Sequence, residues 1–292
     1  MRRLAQTWTL IVCLVIVLAS CSRGSAPDVL TTTTILADVA RNVTGDRLTV
    51  GSLLPPGIDP HSYQPVPQDA AKIKDSNVLV FHGGEYERFL NGLLETAGGP
   101  GRMVEASRGV RFRSGADGVD PHVWLDPTNV IVYVDNIREG LTEVDPDGAE
   151  IYQTNASTYI DQLVELDAWI NEQVAQIQPQ HRVLVTNHES LGYFAERYGF
   201  TVVGAVMPSF SSDSSPSAQQ MAGLIEQIKI HEALAVFLDA SDNPDLAKQI
   251  AAETDIKVIR DLHLESLTQG DPASTYIDMM RDNVTKIVQA LQ

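Results

Sequence analysis

The stretch Leu54-Pro-Pro-Gly-Ile-Asp-Pro-His61 places one histidine on a loop that proline and glycine make stiff. A second histidine follows Asp-Pro downstream, in Asp120-Pro-His-Val-Trp-Leu-Asp126. Proline fixes its own φ and favours extended geometry at the residue before it, so each Asp-Pro-His holds its histidine on a loop of limited freedom. Such loops suit metal ligands, which makes His61 and His122 candidate ligands. For either histidine alone, chance or turn formation is also a sufficient explanation.

Around these loops, short β-branched or apolar runs alternate with amphipathic stretches. The runs predicted as strands are 30–35, 48–53 and 77–81, and the predicted helices are 36–43, 67–74, 86–96 and 127–143. Strands that alternate with helices predict parallel sheets covered on both faces. We therefore interpret residues 28–146 as one α/β lobe.

The segment 147–178 has the longest helical pattern in the chain. Apolar residues recur at helical spacing, no proline interrupts them, and Pro179 ends the pattern. A helix of about 30 residues is about 45 Å long, enough to cross a whole domain. We predict a backbone helix that joins two lobes, with a surface helix inside one large domain as the alternative.

After this segment the α/β pattern of the first half begins again. The predicted strands are 182–186, 201–206, 234–238 and 256–259, and the predicted helices are 191–198, 218–231, 245–254 and 275–291. Residues 179–292 are therefore predicted to form a second lobe. The predicted fold class is α/β, with two similar parallel-sheet lobes and a ligand site in the cleft between them.

The amino-terminal residues have the composition of an export signal. Two arginines precede an apolar run, Leu10–Ala19, which is too short to span a bilayer as a helix. The run ends in Leu18-Ala-Ser-Cys21, which resembles a bacterial lipobox. We predict a signal peptide over 1–21, a lipid anchor on Cys21 and a tether over 22–27.

Composition argues against several classes of function. The only cysteines, Cys13 and Cys21, fall in the predicted leader, so the mature chain is predicted to have no disulfide, thiol ligand or cysteine nucleophile. The formal net charge of −17 argues against binding to nucleic acid or to anionic lipid surfaces. That charge is compatible with a cationic ligand, although solubility outside the cell explains it equally well.

The second half adds two candidate ligands just beyond predicted strands, where open α/β sheets bind their ligands. His188 lies in Thr186-Asn-His-Glu-Ser190, and Glu265 lies in Asp261-Leu-His-Leu-Glu-Ser-Leu267. If the two lobes face each other, both side chains converge on the cleft with the two Asp-Pro-His histidines.

Several motifs together resemble the metal-specific solute-binding proteins of ABC importers, which are zinc and manganese receptors. The likeness rests on the long helix and on the stretches 54–63, 120–127 and 188–194. It covers nearly all of the predicted mature chain, with the motifs in the family's order. The resemblance implies a monomeric receptor, not an enzyme, that captures a divalent ion outside the cytoplasmic membrane and delivers it to an ABC permease.

The resemblance also implies a set of ligands. His61, His122 and His188 correspond to the family's first three ligands. The fourth is usually an aspartate in the family, and the matching position here is Glu265, with Asp261 and His263 as alternatives. Three imidazoles and one carboxylate suit a four-coordinate Zn²⁺, so we favour Zn²⁺ over Mn²⁺, which prefers more oxygen ligands.

The other histidines have simpler interpretations. His82 stands where the family often has asparagine, and it is interpreted as a hydrogen-bonded loop residue, with a supporting or gating role as the alternative. His181 and His231 are interpreted as surface residues near the ends of elements.

Two other classes of function are also compatible with the sequence. In a secreted zinc hydrolase, the three histidines would bind Zn²⁺ and Glu189 would act as general base, although the chain lacks His-Glu-x-x-His. In an adhesin or structural lipoprotein, the metal would only stabilise the fold.

Overall fold

The computed structural model describes residues 26–99, 101–115, 118–212 and 215–292. The predicted signal peptide, its lipid anchor on Cys21 and most of the tether lie outside the described residues. Within the described ranges, no helix is both long and apolar enough to cross a membrane.

The first half of the chain contains a four-stranded parallel sheet with the strand order β2-β1-β3-β4. Its strands are β1 (Val29–Thr31), β2 (Val50–Ser52), β3 (Val78–Phe81) and β4 (Arg102–Glu105), and its helices are α1 (Thr34–Thr44), α2 (Pro67–Asp75) and α3 (Leu90–Ala97). The predicted parallel sheet is confirmed, but β4 was not predicted. Three of its four residues are exposed, so it lacks the apolar run of a buried strand.

A hairpin and two long helices follow this sheet. Strands β5 (Arg113–Gly115) and β6 (Gly118–Asp120) pair antiparallel, and they precede α4 (Pro127–Val144) and α5 (Ala149–Val174). Helix α5 has 26 residues and is shorter than the predicted 147–178, because a turn of 3-10 helix at 146–148 precedes it and a turn follows it from residue 175.

The second half repeats the architecture of the first. Its strands are β7 (Val183–Thr186), β8 (Thr201–Ala205), β9 (Ala235–Asp239) and β10 (Lys257–Leu262), and its helices are α6 (Gly192–Tyr198), α7 (Ala218–Ile230), α8 (Asp245–Thr254) and α9 (Tyr276–Leu291). The strands are parallel in the order β10-β9-β7-β8. Both sheets therefore place their first strand between their second and third, which confirms two similar lobes.

Helix α5 packs against helices from both halves, namely α1 and α4 of the first and α6 and α9 of the second. Its buried side chains recur every three or four residues and are Tyr152, Ala156, Tyr159, Leu163, Leu166, Ile170 and Val174. One hydrophobic cluster runs from β1 through this helix to α9. Wide separation of the halves would expose that shared core to water. The lobe boundaries 28–146, 147–178 and 179–292, and a rigid linking role for the helix, stay predictions.

The run of four threonines after Leu30 was predicted to continue the first strand, but that strand ends at Thr31. The side chain of Thr33 instead accepts a hydrogen bond from the backbone N–H of Leu36 and caps α1. A capping threonine thus turns the chain into a helix where β-propensity alone favours a strand.

Candidate metal centre

Four side chains from separate loops meet between the halves. They are His61, His122, His188 and Glu265, and one ligand atom of each lies within 4.8 Å of the others. His61 lies in the loop after β2 and His122 directly after β6, whereas His188 follows β7 and Glu265 follows β10. Each half therefore supplies two of the four groups.

The spacing of the four ligand atoms matches a small tetrahedral ion. The Nε2 atom of His122 lies 3.3 Å from Nε2 of His61 and 3.3 Å from Nε2 of His188. The Oε1 atom of Glu265 lies 3.2 Å from Nε2 of His188 and 3.3 Å from Nε2 of His122. A tetrahedral Zn²⁺ with bonds of about 2.05 Å would hold its ligand atoms about 3.3 Å apart.

Three members of the group are buried, and the fourth is partly exposed. His122, His188 and Glu265 are at most 2% exposed, whereas His61 is half-buried. His61 lines a cavity of about 670 Å³ together with Tyr63 and Phe210. Glu265 lines a second cavity, of about 280 Å³, so open space adjoins the group at both His61 and Glu265.

The orientation of His122 is set by a neighbouring carboxylate. Its Nδ1–H donates to Oδ1 of Asp120 at 2.9 Å, and its backbone N–H donates to the same oxygen at 3.1 Å. This bond places the proton on Nδ1 and directs Nε2 at the other three ligands. Carboxylate–histidine pairs of this kind orient metal ligands and raise their basicity.

Replacing Asp120 by asparagine is expected to weaken metal binding about 10- to 100-fold, because the amide is a weaker acceptor for the His122 Nδ1–H. Calorimetric titration of Asp120→Asn against the unaltered protein measures the effect. Asp126→Asn is the matched control, since Asp126 lies in the same motif but caps α4 through Thr128. Equal affinities for Asp120→Asn and the unaltered protein would contradict the orienting role.

His188 is held by its backbone rather than by its ring. Its carbonyl accepts a hydrogen bond of 2.6 Å from the Thr186 hydroxyl, and the neighbouring Asn187 N–H donates to Phe237 O at 3.1 Å. Its buried Nδ1 has no hydrogen-bond partner among the described residues. The ring position therefore depends on the loop at the end of β7.

The two carboxylate oxygens of Glu265 have different surroundings. Oε2 accepts a hydrogen bond of 2.5 Å from the hydroxyl of Tyr86, whereas Oε1 faces the imidazoles. The backbone beside it is fixed at Leu264, whose N–H donates to Asp239 at 2.6 Å and whose carbonyl accepts from Trp124 at 2.8 Å. Glu265 is therefore arranged to bind an ion through one oxygen.

The ionisable groups of the site are strongly coupled. Burial disfavours the charged form of His122, but the carboxylates of Glu265 and Asp120 outweigh it and raise the His122 pKa to about 9. Burial favours protonated Glu265, yet His122 and the other imidazoles hold the pKa of Glu265 well below its usual value. Burial lowers the pKa of His61 to about 3. Without an ion, the site therefore holds an imidazolium–carboxylate pair at neutral pH.

The alternative ligands lie elsewhere. Asp261 is exposed, and His263 is partly exposed with its Nε2 4.0 Å from Asp282. Neither they nor Glu189 belongs to the group of four. The structure therefore brings Glu265, and not its two alternatives, to the three histidines.

His82 lies behind the site and not within it. Its Nε2 lies 2.8 Å from the hydroxyl of Thr33 and its Nδ1 lies 3.0 Å from the hydroxyl of Tyr133. Burial lowers the pKa of His82 to about 3. Both ring nitrogens are thus engaged, as expected for a hydrogen-bonded loop histidine. Of the two histidines predicted at the surface, His181 is partly exposed and His231 is exposed.

Two further residues of the site had no predicted role. Asp120 belongs to the Asp-Pro-His motif that identified His122 as a candidate ligand, so this motif could also have indicated Asp120. Tyr86 carries no such signal, because its partner Glu265 lies 179 residues away.

Two parallel-sheet α/β lobes with three imidazoles and a carboxylate buried between them define a metal-binding protein of the two-lobed solute-receptor class. The family described as "Zinc-uptake complex component A periplasmic" (ZnuA) matches residues 29–290. The chain therefore belongs to this family, which is a family of solute-binding receptors rather than of enzymes.

Individual relatives agree with this assignment. The "Manganese-binding lipoprotein MntA" of Halalkalibacterium halodurans is 34% identical over 92% of this chain and 89% of its own length. The Mn-bound periplasmic metal binding protein from Candidatus Liberibacter asiaticus is 30% identical, with a TM-score of 0.82 over 90% of this chain and 99% of that one. The periplasmic zinc binding protein TroA from Treponema pallidum is 25% identical, with a TM-score of 0.85 over 91% of this chain and 99% of that one.

Proposed function

We propose that this protein is an extracytoplasmic receptor that captures a divalent metal ion through His61, His122, His188 and Glu265 and delivers it to an ABC permease. The observation that carries the proposal is the group of four ligand atoms, two from each half and three of them on buried residues. An ion bound there links the halves, so binding stabilises the folded chain by mass action.

The donor set favours zinc as the tighter-bound ion. Three imidazole nitrogens and one carboxylate oxygen fill a tetrahedral shell, and the bond from Tyr86 to Oε2 leaves one oxygen of Glu265 for the metal. Mn²⁺ prefers more oxygen ligands and binds most sites more weakly than Zn²⁺ does. The manganese-binding names of relatives are compatible with this order, because availability often determines which ion occupies a site in the cell.

A hydrolase using Glu189 as general base is not supported. Catalytic zinc keeps a coordination position open for water, whereas four side chains already surround the centre here. The family is also one of solute-binding receptors.

The sequence and the relatives support an extracytoplasmic setting. A lipid anchor on Cys21 would hold a monomeric receptor at the outer face of the cytoplasmic membrane. The curated relative MntA is named a lipoprotein, and two structural neighbours are named periplasmic. A receptor held there would meet free ions and the permease on the same membrane.

Titration of the leaderless protein with Zn²⁺ and Mn²⁺ tests the proposal. We expect one ion per chain by calorimetry and by elemental analysis, with Zn²⁺ bound at least about tenfold more tightly than Mn²⁺. Removing the ion with a chelator should lower the melting temperature. Failure to bind either ion would overturn the receptor proposal, and tighter Mn²⁺ binding would overturn the ion order.

A further inference from the structure

Asp120, which orients His122, has contacts with both halves of the molecule. Oδ2 of Asp120 lies 3.6 Å from Nε of Arg113 on β5. The carbonyl oxygen of Asp120 accepts a hydrogen bond of 2.9 Å from the hydroxyl of Tyr193 on α6. Contacts from both halves therefore meet at the residue that fixes the His122 ring.

Arg113 makes several contacts between the hairpin and α6. Its Nη1 donates to the carbonyl of Gly192 at 2.9 Å and to the carboxylate of Glu196 at 2.6 Å. Its backbone N–H donates to the Tyr193 hydroxyl at 2.7 Å, and its guanidinium lies 5.6 Å from the centre of that ring. One residue of the first half thus holds several groups near the start of α6.

The fit at this point leaves no room for another side chain. A Cβ atom added to Gly192 would lie 2.8 Å from Oδ2 of Asp120 and 3.0 Å from Nε of Arg113. The absence of a side chain at Gly192 is therefore what lets the helix approach the Asp120 carboxylate so closely.

This contact bears on the distance between two proposed ligands. Helix α6 begins four residues after His188, and Asp120 holds the ring of His122. The Nε2 atoms of His122 and His188 lie 3.3 Å apart, and this distance must be kept if both are to bind one ion. A connection between Asp120 and the start of α6 therefore sets the spacing of ligands that belong to different halves.

We propose that Arg113 is a positioning residue for metal binding, which holds Asp120, and through it His122, in register with α6 and His188. The inference rests on the proposed function, because it requires His122 to be a ligand. Arg113 lies outside the group of four ligands, but in this role it raises the affinity for the ion and slows the release of the bound ion.

Replacing Arg113 by alanine is expected to lower the affinity for Zn²⁺ about 10- to 100-fold, as the loss of an outer partner of a ligand typically does. Release of the ion to a chelator should accelerate. Arg113→Lys should recover part of the affinity, because an ammonium group keeps the charge but lacks the planar fork that reaches several acceptors at once.

A matched control lies on the same helix. Arg197 of α6 binds Asp167 through two hydrogen bonds of 2.8 and 2.6 Å and has no contact with Asp120. Arg197→Ala removes the ion pairs of α6 with Asp167 and with Asp126, the second of which measures 3.5 Å. It leaves the contacts of Arg113 and Asp120 in place, and it should leave the affinity within about twofold. An equal loss in both variants would show that general loosening of α6, not Arg113, is responsible.

A double-mutant cycle distinguishes positioning from a merely structural effect. If Arg113 acts through Asp120, Arg113→Ala should cause little further loss of affinity in the Asp120→Asn background. Additive losses would overturn the inference. Melting temperatures of the metal-free variants show which of them fold, and Arg113→Lys allows the test if the alanine variant does not.

The proposed function and the positioning role of Arg113 can be disproved independently of each other. If the unaltered protein binds neither Zn²⁺ nor Mn²⁺, the proposed function is wrong. If it binds an ion and Arg113→Ala binds it with equal affinity and equal release rate, the metal site stands and the positioning role of Arg113 is wrong.

Discussion

Replacing Glu265 by alanine is expected to weaken metal binding by about a thousandfold or more, which corresponds to about 4 kcal/mol. Glu265 is the only anionic member of the group of four and contributes an oxygen 3.2–3.3 Å from two of the imidazole nitrogens. Its removal takes away one ligand and also the negative charge that offsets the ion in a buried site. Calorimetric titration with Zn²⁺ measures the loss.

One further variant at this position sharpens the test. Glu265→Gln keeps the shape and one oxygen but loses the charge, so its affinity should fall between those of the alanine variant and the unaltered protein. It also serves if alanine leaves Tyr86 and His122, which both contact the carboxylate, too poorly packed for the chain to fold.

The matched controls are the alternative ligands. Asp261→Asn preserves a residue type that tolerates the positive φ of 65° found there, and His263→Gln keeps a polar side chain. Both should leave the affinity within about twofold. A large loss in either control, with Glu265→Ala unaffected, would move the fourth ligand to that residue.

The sequence predicts the elements of this fold best where local signals agree with burial. The helix that starts at Pro67 ends one residue beyond its predicted limit, and α8 (Asp245–Thr254) has its predicted bounds. Prolines and hydrophobic periodicity mark such limits directly. The hairpin β5–β6 was missed, because its glycines and exposed polar residues do not form a strand pattern.

The candidate ligands could be predicted because each stands in a local motif, whereas their supporting contacts join distant parts of the chain. The bond from Tyr86 to Glu265 shows the difference. Tyr86 was predicted to begin a helix, but α3 begins only at Leu90, and Glu85 before it has a φ of 62°. This irregular turn is what directs the Tyr86 hydroxyl toward the site, and no periodic pattern encodes it.

Metal binding is expected to release about one proton per ion near pH 8 and to weaken about tenfold for each pH unit lost below that. The proton comes from His122, whose pKa is raised to about 9 by Glu265 and Asp120 against the effect of burial. A protonated imidazole cannot bind a metal, so the ion must displace this proton. His61, with a pKa of about 3, contributes no proton in this range.

Calorimetry in two buffers of different ionisation enthalpy counts the protons released. Asp120→Asn is the informative control, because removing that carboxylate lowers the His122 pKa and should reduce the count at pH 8. If no proton is released at pH 8 in the unaltered protein, the imidazolium–carboxylate pair does not exist in the metal-free site.

The same pair makes the stabilisation by metal depend on pH. Because the His122 pKa in the folded chain lies above its ordinary value of 6.5, the stability it contributes is fully present below about pH 6.5 and is lost as pH rises through about 9. His61 and His82 affect stability at low pH, because their pKa values in the folded chain are lowered to about 3. The stability that these two residues contribute is lost as pH falls from about 6.5 toward 3.

A bound ion takes the place of the His122 proton, so it restores at high pH the stability that the metal-free protein loses. The difference in melting temperature between loaded and metal-free protein should therefore widen from pH 6.5 to pH 8.5. The reason is that the free energy of metal binding becomes more favourable by about 1.4 kcal/mol for each pH unit. Differential scanning calorimetry with one equivalent of Zn²⁺ measures it. A difference that stays constant or narrows over this range would contradict the imidazolium–carboxylate pair of His122 and Glu265, because a site that exchanges a proton for the ion binds the ion more tightly as pH rises.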